Sequence, residues 1–320
     1  MRLLRIWPDN TNFHFMGLRH FSFPLSAVMS IATIIIFFTV GLNFGVDFRG
    51  GTLIELQAKS GVADVAQLRH TTNNFGFGEV EVQEFGNLGG VSLRFKVQPG
   101  GDAAQATVVQ TARSSLESEY EFRRVETVGP RVSGELVQSG TIGIIVAVVA
   151  VLLYLWFRFE RELALGAIVG TLHDIVLTVG FFMITQIEFN MTSIAAILTI
   201  VGYSLNETVV VFDRTRELMR RYKSIPTVEL LDISINHTMS RTVMTSITTI
   251  LSLTALVWFG GEAIRGFAMV MLAGVVICTY SAICISTPSL IYIGLKLSGQ
   301  PKGQQASTSS KSSRKKVAKA

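Results

Sequence analysis

Glu207 is a carboxylate inside an apolar run. Residues 191–212 read as a membrane-spanning helix, interrupted by Asn206 and Glu207. A charge well inside a span costs about 2.5–3.5 kcal/mol on insertion scales, so it must be paired, solvated or used. Glu207 lies six residues before Asp213, where a group of bases begins. Six residues are ~9 Å of helix rise, too deep for a short acid to reach the surface. Arg241 is the matching base. If the next helix starts near Ile235, Arg241 also lies ~9 Å inside, on an antiparallel neighbour. Opposite charges at equal depth are expected to pair. Such pairs mark ion or proton routes, or hold helices together.

His173 and Asp174 form a second candidate, about ten residues into the run 163–185. Histidine titrates nearest to neutrality. A His-Asp dipeptide also occurs in metal phosphohydrolases, but His14, His20, His70 and His237 supply no further ligand array. A proton relay or polar packing is expected, and no metal or other cofactor. Thr238, Thr242, Thr245, Thr249 and Ser252 recur at spacings of four and three, which places them on one helix face. Small hydroxyl residues let membrane helices pack closely, and the same stripe would also line a path for water beside Arg241.

Several chemistries are excluded. Residues 129–134 have the glycine spacing of a phosphate-binding loop but continue Glu-Leu instead of Lys-Ser/Thr, and neither Gly-x-Ser-x-Gly nor His-Glu-x-x-His occurs. No enzyme activity is expected.

The elements that position these residues follow from composition. Of 320 residues, 49% are hydrophobic and 16% charged, against about 25% charged in soluble domains. Apolar runs near 25–43, 137–157, 163–185, 191–212, 237–259 and 266–295 reach the roughly 20 residues that span a bilayer. The first run is too long for a signal-peptide core and is read as an uncleaved anchor. The last is long and is expected to tilt, to kink near Pro288 or to surface early.

Charge sets the orientation. The net charge is +5, yet segment 44–135 holds nine basic and twelve acidic residues. The excess base sits in residues 1–24, the 158–161 turn, the 213–235 loop and the tail, all on one side of a six-span topology. The positive-inside rule then puts both termini in the cytoplasm and residues 44–136 in the periplasm. The basic balance records topology, and no nucleic-acid partner is implied. Cys278 and Cys284 lie six apart in the last span, point away from each other, and are not expected to bridge.

Segment 44–136 reads as its own domain. Strand alternation at 52–58, 79–85, 91–97 and 122–128, with helical spacing at 62–75 and 103–116, gives β-α-β-β-α-β, the ferredoxin-like pattern. A glycine-rich turn is expected at 86–90. Two glycine-bearing segments bracket the domain. One holds Gly45, Asp47, Arg49, Gly50 and Gly51, and the other Gly129, Pro130 and Gly134. Both fit plain turn chemistry or a hinge on which the domain swings. The expected organisation is a cytoplasmic N-terminus at 1–24, a first span at 25–43, the outer α+β domain at 44–136, an all-α bundle of five spans at 137–298, and a disordered basic tail at 299–320.

The chain resembles the SecD/SecF family of protein-export membrane subunits. The resemblance rests on residues 45–52 (GVDFRGGT), 129–136, 171–174 (TLHD), 201–216 (VGYSLNETVVVFDRTR) and 241–249 (RTVMTSITT), in that order. It implies a six-helix half of a fold akin to the resistance-nodulation-division (RND) superfamily, completed by SecD. It also implies work beside the SecYEG channel and its small accessory subunits on a translocating preprotein, in the inner membrane. In that family an acid after the Asn of the fourth span and an Arg in the fifth are tied to protons. Here these are Glu207, where Asp is the commoner residue, and Arg241. Half of an RND-type small-molecule or ion efflux transporter, or a scaffold whose polar residues only assemble a complex, are the rival readings.

Overall fold

Among the described residues, six helices are long and apolar enough to cross a membrane. The computed structural model describes residues 11–84, 89–222 and 225–295. Residues 86–88 of the expected glycine turn, and the tail from 299, lie outside the described residues. In chain order the elements are α1 (Arg19–Thr39), α2 (Val46–Arg49), β1 (Gly51–Ala58), α3 (Val65–Asn73), β2 (Glu81–Glu84), β3 (Gly90–Phe95), α4 (Asp102–Leu116), β4 (Tyr120–Val128), α5 (Pro130–Arg158), α6 (Arg161–Thr185), α7 (Met191–Arg221), α8 (Thr227–Phe259), α9 (Glu262–Ser281) and α10 (Thr287–Ile293).

The chain divides into two compact units. One is Val40–Val148 with Thr185–Ala195. It contains a four-stranded antiparallel sheet in the order β2-β3-β1-β4. Two split βαβ turns produce that order, because each helix carries the chain past one intervening strand. Ile54 and Leu56 of β1 share a face by period two. With Val91, Leu93 and Phe95 of β3 they meet Val108, Ala112 and Leu116 of α4 in one core. Gly51, Thr52, Leu53 and Glu55 of β1 are buried as well, since β1 is a central strand, while Gln57 and Ala58 at its end are half-buried. Arg124 meets Glu55 at 3.4 Å and also bonds Glu126. Asp64 caps α3, accepting from the Gln67 amide at 3.0 Å, and thereby satisfies one of the donors a helix start leaves open.

The other unit is helical. It takes in α1, the last part of α5, α6 to Ile184, α7 from Ala196, and α8 to α10. Phe212, Leu163, Leu231, Ile235 and Leu290 anchor its core. Glycines let helices approach closely. A methyl on Gly170 would overlap the Ser286 hydroxyl, and one on Gly180 would meet Thr33. The helices run past the apolar runs: α7 continues to Arg221 and α8 starts at Thr227. At 1.5 Å per residue both exceed the ~30 Å hydrocarbon layer, so their polar ends stand outside it.

The last span breaks where Pro288 was expected to kink it. A π-helical turn, Ala282–Ser286, separates α9 from α10. Pro288 has no N–H to offer the carbonyl four residues back. That carbonyl, on Cys284, accepts instead from the Ser22 hydroxyl of α1 at 2.9 Å. Tyr280 adds to the same seam, lying 3.0 Å from the Ser26 hydroxyl and donating to the Ser22 carbonyl at 3.2 Å.

Candidate functional site

Glu207 is 2% exposed, on α7. Its Oε1 accepts from the Thr245 hydroxyl of α8 at 3.0 Å. Tyr203, one turn earlier on α7, reaches Ser246 at 3.5 Å, and Ser246 meets Thr279 of α9 at 2.9 Å. A row of hydroxyls therefore crosses α7, α8 and α9 beside the acid. Glu207 stands fourteen residues before the end of α7, and Arg241 fourteen residues after the start of α8. Counted along the chain, the two stand equally far from the turn that joins α7 to α8.

They do not form a contact ion pair. Among the described residues no salt bridge joins them, and Arg241 acts on Glu207 as a through-space charge. The sequence places both residues at one depth, but Arg241 is exposed and makes no hydrogen bond or ion pair with the acid among the described residues. Thr245, one turn along α8, takes the place facing the acid. Asn206 is also exposed and makes no side-chain hydrogen bond among the described residues. Of the threonine stripe, Thr238, Thr249 and Ser252 bond back to their own helix, which satisfies hydroxyls in an apolar medium.

Asp174 is 1% exposed and joins α6 to α7. Its Oδ2 accepts from Ser204 at 2.5 Å, and its Oδ1 lies 3.3 Å from His173 Nδ1. Ser204 is three residues from Glu207, less than one turn. The partner of Asp174 is thus a near neighbour of Glu207 on α7, and one acid is held by a serine and the other by a threonine. His173 Nε2 is buried without a hydrogen-bond partner among the described residues, and its ring lies 6.3 Å from that of Tyr280. Ser204 did not stand out from its neighbours in the sequence, and Thr245 stood out only as one member of the hydroxyl stripe. The signal was their spacing to the acids across helices, which one sequence does not display.

The glycine-bearing segments are firmly held. Gly45 N–H donates to Phe189 O at 2.8 Å, and Asp47 Oδ2 accepts from the Met191 amide at 2.9 Å, capping α7. Arg49 lies 3.9 Å from Glu81. Gly50 and Gly51 have φ of +71° and +112°, and a side chain on Gly51 would strike the Phe95 carbonyl. At the second segment Gly129 alone separates β4 from α5, which Pro130 opens and which already includes Gly134. An unforeseen clasp completes this unit. Arg94 Nη2 donates to Glu188 Oε1 at 2.7 Å, and its Nη1 donates to the Phe44 carbonyl at 3.1 Å. Burial pushes the Glu188 carboxyl up, with Arg94 and Arg124 pulling the other way.

Known proteins share this arrangement of helices and sheet. The family model described as protein export membrane protein SecD/SecF, C-terminal, matches residues 108–296, and the SecD/SecF GG motif matches residues 35–62. The chain belongs to the SecD/SecF family. It is 37% identical over 317 residues to protein translocase subunit SecF of Cereibacter sphaeroides, covering 95% of this chain and 97% of that protein. It is 38% identical over 289 residues to SecF of Rickettsia bellii, covering 90% and 95%. Protein translocase subunit SecDF of Brucella abortus is 40% identical over 295 residues, 92% of this chain but only 39% of that longer protein. Among solved structures, SecDF from Thermus thermophilus superposes with a TM-score of 0.78 at 31% identity, over 90% of this chain and 39% of its own. A SecDF in a super-membrane-facing form gives a TM-score of 0.64 at 29% identity, over 98% and 41%. The chain thus spans about two fifths of the SecDF proteins and nearly the whole of these SecF relatives. Both SecD/SecF models fall on motifs named from the sequence: the GG-motif match contains Gly50 and Gly51, and the C-terminal match contains His173, Asp174, Asn206, Glu207 and Arg241.

Proposed function

We propose that this chain is a non-enzymatic subunit of the Sec protein-export machinery that couples proton movement to late steps of preprotein translocation. It sits in the inner membrane with both termini cytoplasmic and residues 44–136 periplasmic. A SecD-like half pairs with it, and the SecYEG channel and its small accessory subunits stand beside the pair. The observation that carries this reading is Glu207, buried inside a span among the hydroxyls of Thr245, Thr242 and Tyr203 and bordered by an uncovered polar face. Arg241 and Asn206 on that face cannot lie against lipid at low cost. A second membrane half would cover them and supply the remaining polar groups.

The hydrogen bond suggests how protonation is read. Ionised Glu207 only accepts, whereas neutral Glu207 also donates. The single Thr245 proton has three acceptors in reach: Glu207 Oε1, and the Arg241 and Thr242 carbonyls at 3.1 and 2.9 Å. Protonating the acid would reverse the bond and return the Thr245 proton to its own helix. It would also leave the Arg241 charge uncompensated, so α7 and α8 would favour another packing. The outer domain would follow through residues 45–51 and 129–134, which act as stiff joints, and would hold emerging polypeptide outside.

Glu207→Gln in the complex with its SecD partner tests this. Potential-driven stimulation of export should be abolished while the complex still assembles. Normal stimulation would remove the proton role, and a dispersed complex would favour the scaffold.

A further inference from the structure

We propose that the arginine-lined cavity where α5 ends beside α7 binds the phosphate of an anionic phospholipid headgroup. The cavity measures about 430 Å³ and is lined by Arg158, Asp213, Arg216, Glu217, Arg220 and Arg221. Four guanidinium groups share it with two carboxylates, and both carboxylates are engaged. Arg158 Nη2 donates to both Asp213 oxygens at 2.9 and 2.8 Å. Glu217 is taken by Arg214, outside the cavity lining. Arg216 comes no nearer than 3.5 Å to Glu160, and its buried Nε has no hydrogen-bond partner. Arg220 and Arg221 have no carboxylate partner among the described residues, and Arg221 lies over the Tyr222 ring at 5.5 Å. The surplus is a set of planar donors that outnumber the carboxylates lining the same space. Guanidinium groups match phosphate oxygens in this geometry, often two at a time.

Their position points to a lipid as the source of that phosphate. Tyr154, Trp156 and Phe157 precede Arg158 on α5 and are 50%, 47% and 84% exposed. Exposed aromatic side chains at the end of a span sit at headgroup level. The flank of α5 is apolar and largely uncovered, with Ile145, Val149 and Leu153 exposed. A lipid lying along this flank would bring its phosphate to the height of Arg158 and within reach of Arg220 and Arg221. Basic pockets between membrane helices select anionic lipids in this way. The helix dipole alone would favour arginines at the end of α7 with no ligand, so the two accounts differ in what they bind.

Native mass spectrometry of the full chain in detergent separates them. Phosphatidylglycerol should be retained over phosphatidylcholine by about tenfold or more, with two guanidinium contacts contributing. The double variant R220Q/R221Q should lose most of that preference. The charge-matched K315Q/K316Q should keep it, and R220K/R221K should keep part of it while showing that the helix end tolerates change. Undiminished preference in R220Q/R221Q, equal loss in K315Q/K316Q, or equal retention of phosphatidylcholine would overturn the site. Displacement of phosphatidylglycerol by millimolar inorganic phosphate would overturn the lipid assignment in favour of a soluble anion.

Discussion

Thr245 donates from α8 to Glu207 on α7 at 3.0 Å, the position the spacing of charges had reserved for Arg241. A hydrogen bond to a charged group contributes about 1.5–3 kcal/mol. Thr245→Val should therefore cut proton-driven export stimulation by about tenfold or more, and Thr245→Ser should restore most of it. Equal losses in both variants, measured in vesicles of the assembled complex, would show that shape and not the hydroxyl matters.

The Arg94–Glu188 clasp predicts a pH dependence. Because Glu188 is raised, chiefly by burial, the folded chain holds this proton more tightly than the unfolded one. Its contribution is then complete below the unfolded value of about 4.3 and is lost as pH rises through the folded pKa. The Tm of wild type minus that of Glu188→Gln should fall as pH climbs from about 4 towards neutrality. A difference that grows with pH would contradict the burial argument.

Pro288 and Ser22 should be coupled. Ser22→Ala leaves the Cys284 carbonyl unsatisfied inside the bundle, at a cost of about 1–3 kcal/mol. In a Pro288→Ala background a backbone N–H becomes available for that carbonyl, and the same substitution should cost clearly less. Thermal unfolding of the four proteins in one detergent gives the double-mutant cycle. Additive effects would mean the hydroxyl does not serve the proline break.

Gly170→Ala should lower stability by about 1–3 kcal/mol, the usual cost of overpacking, since the added methyl overlaps the Ser286 hydroxyl. Ser286→Gly should recover a good part of the loss. If Gly170→Ala melts like wild type, α6 and the π-helical turn are less closely packed than described.

The six spans, the β-α-β-β-α-β order and the break near Pro288 were legible because each has a local cause. Apolar length, period-two alternation and a missing N–H act on residues close in the chain. Glu207 announced itself for the same reason, as a carboxylate whose own neighbours cannot solvate it. Its partner was not legible. Arg241 and Thr245 are one turn apart on the same side of α8, and only the packing of that helix against α7 decides which of them meets the acid. Arg94 and Glu188 are separated by 94 residues, and no local pattern ties a strand residue to a short interhelical loop.

The sequence by itself determined which segments are apolar enough to enter the membrane, which side chains are too polar to be there by accident, and that an acid and a base stand equally far along the chain from the turn joining their helices. Those outcomes follow from transfer cost and helical rise, which sum along the chain. Only the tertiary structure decided the contacts: a threonine on Glu207, a serine on Asp174, and Arg241 and Asn206 left on an uncovered face. Contacts depend on the rotation of neighbouring helices about their axes. That rotation is set by packing of small residues such as Gly170 and Gly180 against side chains far away in sequence.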